Sequence, residues 1–221
     1  MAIAAVTGLE AEARIVRGVG LAAMASGADP ARTAAMAERM LAGGAAALMS
    51  FGLAGALASD LRSGTILLPR RILGETGGTA DVDRAWHARQ RAALLARGIA
   101  PVEDDLFGAG LIVARHEAKA ALHRRTGAVA VDLESAAAAA VARRFGRPFL
   151  ALRAVADPAD FDLPPAALVG IDADGRTAYL PVLRSVLADP RQIAALVRLA
   201  QHTRAALAAL ARAAATVPGA G

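Results

Sequence analysis

The chain has 221 residues, with 25 Lys and Arg against 20 Asp and Glu, giving a net charge of +5. It contains no cysteine, which excludes disulfides and thiolate chemistry. The length suits one α/β domain with a sizeable core. The basic excess is carried almost wholly by arginine, Lys119 being the only lysine, and only 3% of residues are aromatic. Nucleic-acid binding needs clustered positive charge interleaved with stacking rings, and these arginines are scattered, so no nucleic-acid partner is expected.

Hydrophobic residues make up 56% of the chain, and residues 40–59 carry no charge. That length can span a bilayer. The stretch is mostly alanine and glycine, however, and Gly43, Gly44, Gly52 and Gly55 interrupt any helix. A buried strand between a helix end and a glycine turn fits it better. No basic residue precedes the apolar residues 1–6, and Glu10 and Glu12 follow at once, unlike a signal peptide, so the cytoplasm is the expected location.

In chain order, residues 2–6 read as a buried strand and 10–16 as a helix start. Residues 21–25 form a second strand. Asp29-Pro30 opens a helix that runs to Gly43-Gly44, with Pro30 suited to the first helical position. Residues 45–51 form the next strand, followed by a turn at Gly52-Leu53-Ala54-Gly55. Further strands are predicted at 65–69, 109–113, 128–131 and 149–155. Helices are predicted at 84–97, 117–125, 133–145 and 191–214. The last carries an apolar stripe of Ile193, Leu196, Val197, Leu207 and Leu210. Strands apolar on both faces alternate with helices. This predicts a single α/β domain with a mostly parallel, mixed central sheet flanked by helices. The domain is expected over residues 1–215, with 216–221 a flexible tail.

Open α/β sheets bind ligands at the carboxyl ends of their strands. Acidic residues follow three strands there: Glu10 and Glu12, then Asp132 and Glu134, then Asp157. Each also has an ordinary structural reading. Glu10 and Glu12 suit a helix's first turn, Asp132 an N-cap with Glu134 after it, and Asp157 a turn before Pro158. Carboxylates gathered at one crevice raise each other's pKa and cost stability, which a fold accepts more readily at a ligand site. The Gly52–Gly55 turn would let backbone approach a sugar or phosphate. It is neither a dinucleotide fingerprint nor a P-loop, so no cofactor is expected. His87, His116, His123 and His202 show no metal-ligand spacing, and no metal is expected.

Four blocks then stand out: Val6-Thr7-Gly8-Leu9-Glu10-Ala11-Glu12, Ser50-Phe51-Gly52-Leu53-Ala54-Gly55, Val131-Asp132-Leu133-Glu134-Ser135-Ala136 and Arg153-Ala154-Val155-Ala156-Asp157. In order and spacing they resemble the nucleoside phosphorylase/nucleosidase superfamily, above all its methylthioadenosine/S-adenosylhomocysteine nucleosidase branch. With Ser26-Gly27-Ala28-Asp29-Pro30 and Ala188-Asp189-Pro190-Arg191-Gln192, the whole chain is most similar to the hopanoid-associated phosphorylases, which act on adenosylhopane. The resemblance implies N-glycosidic cleavage of an adenosine-type nucleoside with an apolar 5′ substituent. It implies that Glu12 orients or activates water, Glu134 binds the ribose hydroxyls, Asp157 protonates the purine at N7 and Leu133 lies under the ribose. Leu9, Gly52, Leu53 and Asp132 would complete the substrate site. It also implies a homodimer or higher homo-oligomer and a small or lipid-linked substrate, with transient membrane contact.

Three departures qualify this. Leu53 replaces the usual serine or threonine, which weakens the phosphorylase reading and favours water over phosphate as nucleophile. Phosphorolysis to a ribose 1-phosphate product, with phosphate as co-substrate, remains the alternative. A non-catalytic nucleoside-binding protein is the alternative from another class. The stretch 110–131 is short, leaving Arg115 and His116 as candidates to hold the base. Residues 161–187 have no close nucleosidase counterpart. They are rich in apolar residues, Phe161, Leu163, Leu168, Val169 and Ile171 among them, and are expected to line a site for the substrate's apolar end or to pack as core or interface.

Overall fold

The computed structural model describes residues 2–170, 172 and 174–217. In chain order the elements are β1 (Ile3–Thr7), α1 (Glu10–Gly18), β2 (Ala22–Ala25), α2 (Pro30–Ala42), β3 (Ala47–Ala56) and β4 (Ile66–Leu67). Next come β5 (Arg71–Gly74), β6 (Thr79–Asp81), α3 (Arg84–Ala96), β7 (Leu106–Gly108), α4 (His116–Thr126) and β8 (Ala130–Asp132). The chain ends with α5 (Ser135–Arg144), β9 (Phe149–Asp157), α6 (Pro165–Leu168), α7 (Tyr179–Ala188), a 3-10 turn (Pro190–Gln192) and α8 (Ile193–Ala214). Among the described residues no helix is long and apolar enough to cross a membrane.

One mixed sheet runs β2-β1-β3-β8-β7-β5-β6, and β9 joins it by pairing with β3 and β4. The β1·β2, β1·β3, β3·β9, β5·β7 and β7·β8 pairs are parallel, whereas β3·β8, β4·β9 and β5·β6 are antiparallel. This is the predicted α/β architecture. All residues of β1 and β9 are buried, as expected for strands covered on both faces. Asp29 caps α2 through a 3.0 Å bond from the Arg32 amide, with Pro30 in its first turn.

Several boundaries differ from the sequence expectation. Gly52–Gly55 is not a turn but the second half of a ten-residue strand, β3. Residues 109–113 are a loop, and the strand lies just before them at Leu106–Gly108. Their apolar side chains do not cover a sheet face: Ile112 and Val113 line a cavity, and Leu111 is 81% exposed. The β5–β6 hairpin has no apolar alternation in the sequence, because β6 is an edge strand without a buried face. In α8 only part of the predicted stripe is used. Leu210 is buried against the sheet, but Ile193 and Val197 are exposed. Of the expected tail, residues 216 and 217 are packed on the domain. The Gln90 side chain donates to Thr216 Oγ1 at 2.5 Å, and Val217 is buried. Residues 218–221 and Ile171 lie outside the described residues.

The β7–α5 packing sets where the segment before α5 emerges. A Cβ on Gly108 would stand 2.4 Å from the Ala136 Cβ and 2.8 Å from its backbone nitrogen. Only glycine lets the strand pass this close to the first turn of α5. Gly108→Ala is expected to destabilise the protein by about 1–3 kcal/mol, read as a lowered urea midpoint. An unchanged midpoint would show that α5 can shift freely.

Candidate active site

Arg153, in the middle of β9, is completely buried. Its Nη2 lies 2.6 Å from Asp132 Oδ2 and donates to Ser50 Oγ at 2.5 Å. Its Nη1 lies 3.1 Å from Glu134 Oε2. Gly52 is the direct partner of Arg153 across the β3·β9 ladder. A Cβ there would stand 2.6 Å from Arg153 Nη1 and 2.8 Å from Glu12 Oε2. The glycine expected to admit a ligand therefore makes room for the protein's own ion cluster.

Glu12 sits in the first turn of α1. Its Oε2 accepts from the amides of Gly8 and Leu9, at 2.9 and 2.8 Å, and its Oε1 from the Leu53 amide at 2.9 Å. The helix-start reading and the site reading thus hold for the same side chain. Leu9 and Leu53 enter the site through these amides as well as by lining it. Asp132 ends β8 and is not the N-cap of α5, a position Glu134 holds, but it accepts from the Ser135 amide at 3.2 Å and from its hydroxyl at 2.5 Å. With Arg153 on the same carboxylate, Asp132 orients its neighbours and has little left for a ligand.

Asp157 closes β9. The β3·β9 register shifts at Ala54/Gly55, so Gly55 pairs with Asp157 and Ala156 is the extra residue. Such a bulge re-aims a side chain at the sheet's end. Its carboxylate meets Lys119, from α4, at 2.5 Å from Nζ to Oδ2. Lys119 is fully buried and also donates to the carbonyls of Pro158 and Phe161, both at 2.9 Å. Its role had one sequence signal: it is the single lysine in a chain that otherwise uses arginine.

These residues surround a cavity of about 190 Å³. Glu12, Asp132, Glu134 and Asp157 line it together, so the three acidic strand ends do converge. Gly8, Leu9, Leu53, Leu133, Leu163 and Ile112 supply much of the remaining wall. Among the described lining residues the only charged side chains are carboxylates. Glu10 is not in the wall; it faces out and pairs with Arg17 at 2.8 Å. Arg115 and His116 are not in it either, both being drawn to Asp162, at 3.0 and 2.9 Å. Of the apolar segment 161–187, Leu163 reaches the cavity, whereas Leu168 and Val169 point into solvent.

Burial raises the carboxyls of Glu12, Glu134 and Asp157 above the usual range. For Glu12 burial outweighs Arg153 and the amide donors. Glu134 is pushed up to about 8, by burial first and then by Asp132 and Glu12, against the pull of Arg153. For Asp157 burial outweighs the opposing effect of Lys119. Burial opposes the charge on Arg153, but Asp132, Glu134 and Glu12 more than restore it, so its pKa is raised. The Glu134 carboxyl can therefore hold a proton near neutral pH.

The architecture and this crevice define a nucleoside phosphorylase-type α/β fold. Residues 13–178 match the Phosphorylase superfamily, and the chain belongs to it. No curated protein matches the sequence. Similar solved structures include the 5′-methylthioadenosine/S-adenosylhomocysteine nucleosidase of Neisseria meningitidis in complex with methylthio-immucillin-A. It is 18% identical with a TM-score of 0.74, over 97% of this chain and 96% of that one. The Helicobacter pylori nucleosidase of the same name is 16% identical with a TM-score of 0.73, over 96% and 94% of the two chains. Helicobacter pylori futalosine hydrolase is 15% identical with a TM-score of 0.73, over 97% and 95%.

The raised Glu134 carboxyl makes a pH prediction. The folded protein holds this proton more tightly than the unfolded chain, whose glutamate titrates near 4.5. The stability it contributes is fully present below about pH 4.5 and is lost as pH rises through about 8. Glu134→Gln should therefore flatten the fall in urea midpoint across that window. A wild-type midpoint that rises there, with no change of slope in the variant, would contradict the raised carboxyl.

Proposed function

We propose that this protein cleaves the N-glycosidic bond of an adenosine-type nucleoside bearing an apolar 5′ substituent, with water as nucleophile. The observation that carries this is the cavity wall, in which the only charged side chains are the carboxylates of Glu12, Asp132, Glu134 and Asp157. As the bond from C1′ to N9 breaks, its electron pair goes to the purine and the ribose gains oxocarbenium character. The ionised carboxylate of Glu12 stabilises that cation. Asp157, with its raised carboxyl, delivers a proton to N7 so that adenine leaves neutral. Glu134 hydrogen-bonds the ribose hydroxyls. Glu12, pinned by three amides, orients the water and takes its proton as oxygen bonds to C1′. The reaction so written needs no cofactor.

The same wall disfavours phosphate. Arg153 and Lys119, the buried cations beside the cavity, are already engaged by Asp132, Glu134 and Asp157, which leaves neither free to hold an anion. Leu53 offers only its amide, already bound to Glu12. For the 5′ group, Leu9, Ile112, Val113 and Leu163 provide an apolar wall. With the resemblance to hopanoid-associated phosphorylases, this favours an adenosylhopane-like substrate and a place in hopanoid biosynthesis. The likeness to nucleosidases and futalosine hydrolase supports the reaction class, and homo-oligomeric assembly belongs to the same reading.

Adenine release from adenosylhopane and from methylthioadenosine, each with and without phosphate, tests the proposal. Release without phosphate is expected, with Asp157→Asn slower by about 10²–10⁴-fold. A strict phosphate requirement would overturn the choice of water. Tight nucleoside binding without turnover would make this a binding protein. Lys119→Met removes the charge that lowers the Asp157 carboxyl. The alkaline limb of the kcat/KM profile should then move to higher pH while kcat falls. A lower kcat with an unmoved limb would leave Lys119 a purely structural role.

A further inference from the structure

The large apolar side chains left in water are concentrated on one part of the fold. α7 exposes Leu180, Leu183 and Leu187, a spacing of three and four that forms one outward stripe, with Leu187 72% exposed. Leu168 and Val169 at the end of α6, and Ile193 and Val197 at the start of α8, are also exposed. Gln192 ties these three helices together. Its Oε1 accepts from the Ala166 amide at 2.8 Å, and its Nε2 donates to the carbonyls of Ser185 and Asp189 at 3.1 and 3.3 Å. Exposed apolar residues collected in this way mark an interaction surface.

Charge and position narrow the occupant. Between residues 179 and 198 the cations are Arg184, Arg191 and Arg198, all exposed, and the one acidic residue is Asp189. Asp189 is committed to the 3-10 turn, where its Oδ1 accepts from the Arg191 amide at 3.1 Å. The segment before α7 lies on the active-site side of the protein, because the Glu10 amide donates to the Gly175 carbonyl at 2.9 Å. A depression of about 670 Å³ there is bounded by Leu9, Gly170 and Arg176, and Leu9 also lines the catalytic cavity.

We propose that the α6–α7–α8 face docks on an anionic bilayer. Its leucines enter the boundary between headgroups and acyl chains, and its arginines meet anionic headgroups. The inference rests on the reading that the substrate carries an apolar 5′ group, which partitions into membrane; the docked face brings the Leu9 side of the cavity toward that source. A second copy of the chain is the poorer occupant, since residues 179–198 carry three arginines and one committed aspartate and so offer a copy no complementary acidic patch.

Flotation of the purified full-length protein with nucleoside-free vesicles tests the proposal. The vesicles are phosphatidylcholine, with or without phosphatidylglycerol. Flotation is expected with phosphatidylglycerol vesicles and should weaken with added salt. Leu183→Ser/Leu187→Ser and Arg184→Glu should each lower the bound fraction about tenfold, because both burial and charge contribute. Turnover of methylthioadenosine should be unchanged in both variants, which also reports folding. Wild-type protein that stays below the vesicles overturns the proposal. So does a dimer in sedimentation that Leu183→Ser/Leu187→Ser converts to monomer, which would make the face a subunit contact. Flotation requires no catalysis, so absent turnover would remove the proposed reaction without obscuring this result.

Discussion

A single buried guanidinium organises this protein. Arg153 has no exposed surface and is held by Asp132, Glu134 and the hydroxyl of Ser50, with Glu12 against it across Gly52. Burying a charge costs several kcal/mol unless it is paired and hydrogen-bonded. The partners come from the start of α1, from β3 and from the β8–α5 junction, so the charge is compensated only when all of these have assembled around β9. The fold's central requirement and the crevice's chemistry are thus the same set of contacts. Burial holds the Glu12 and Glu134 carboxyls above their usual range even beside Arg153, so the cluster can keep a proton as well as an ion pair.

Environment divides the carboxylates into different tasks. Glu12, Asp132 and Glu134 share Arg153, whereas Asp157 stands apart with Lys119. The β3·β9 bulge makes that separation, since it advances Asp157 beyond the regular register. A proton held on Asp157 sits beside Lys119, and one held on Glu134 sits beside Arg153, at separate points of the cavity wall. Carboxyls of one chemical type can act as acid and as binder within one small cavity because burial and partner differ at each.

The part of the chain beyond β9 is less economical in burying its apolar residues. Leu163 contributes to the cavity wall, but Leu168, Leu180, Leu183 and Leu187 are exposed. The loop before α7 adjoins the cavity through Leu9.

The alternation of apolar runs and helical stretches was enough to establish an α/β fold, because strands buried on both faces must be apolar throughout. It also placed Glu12, Glu134 and Asp157 after strands, since ligand sites gather at strand ends. What lay outside its reach were contacts between distant residues. Lys119 and Asp157 are 38 positions apart, and nothing local links them. Arg153 stood in a motif block, yet its burial follows from two neighbouring strands and the carboxylates that fold over it. Gly52 read as a turn because glycine usually serves one; only its place opposite Arg153 shows that close packing of side chains requires it. Local order is encoded by residues near in sequence. The pairing of buried charges depends on which elements meet, and that only the tertiary structure decided.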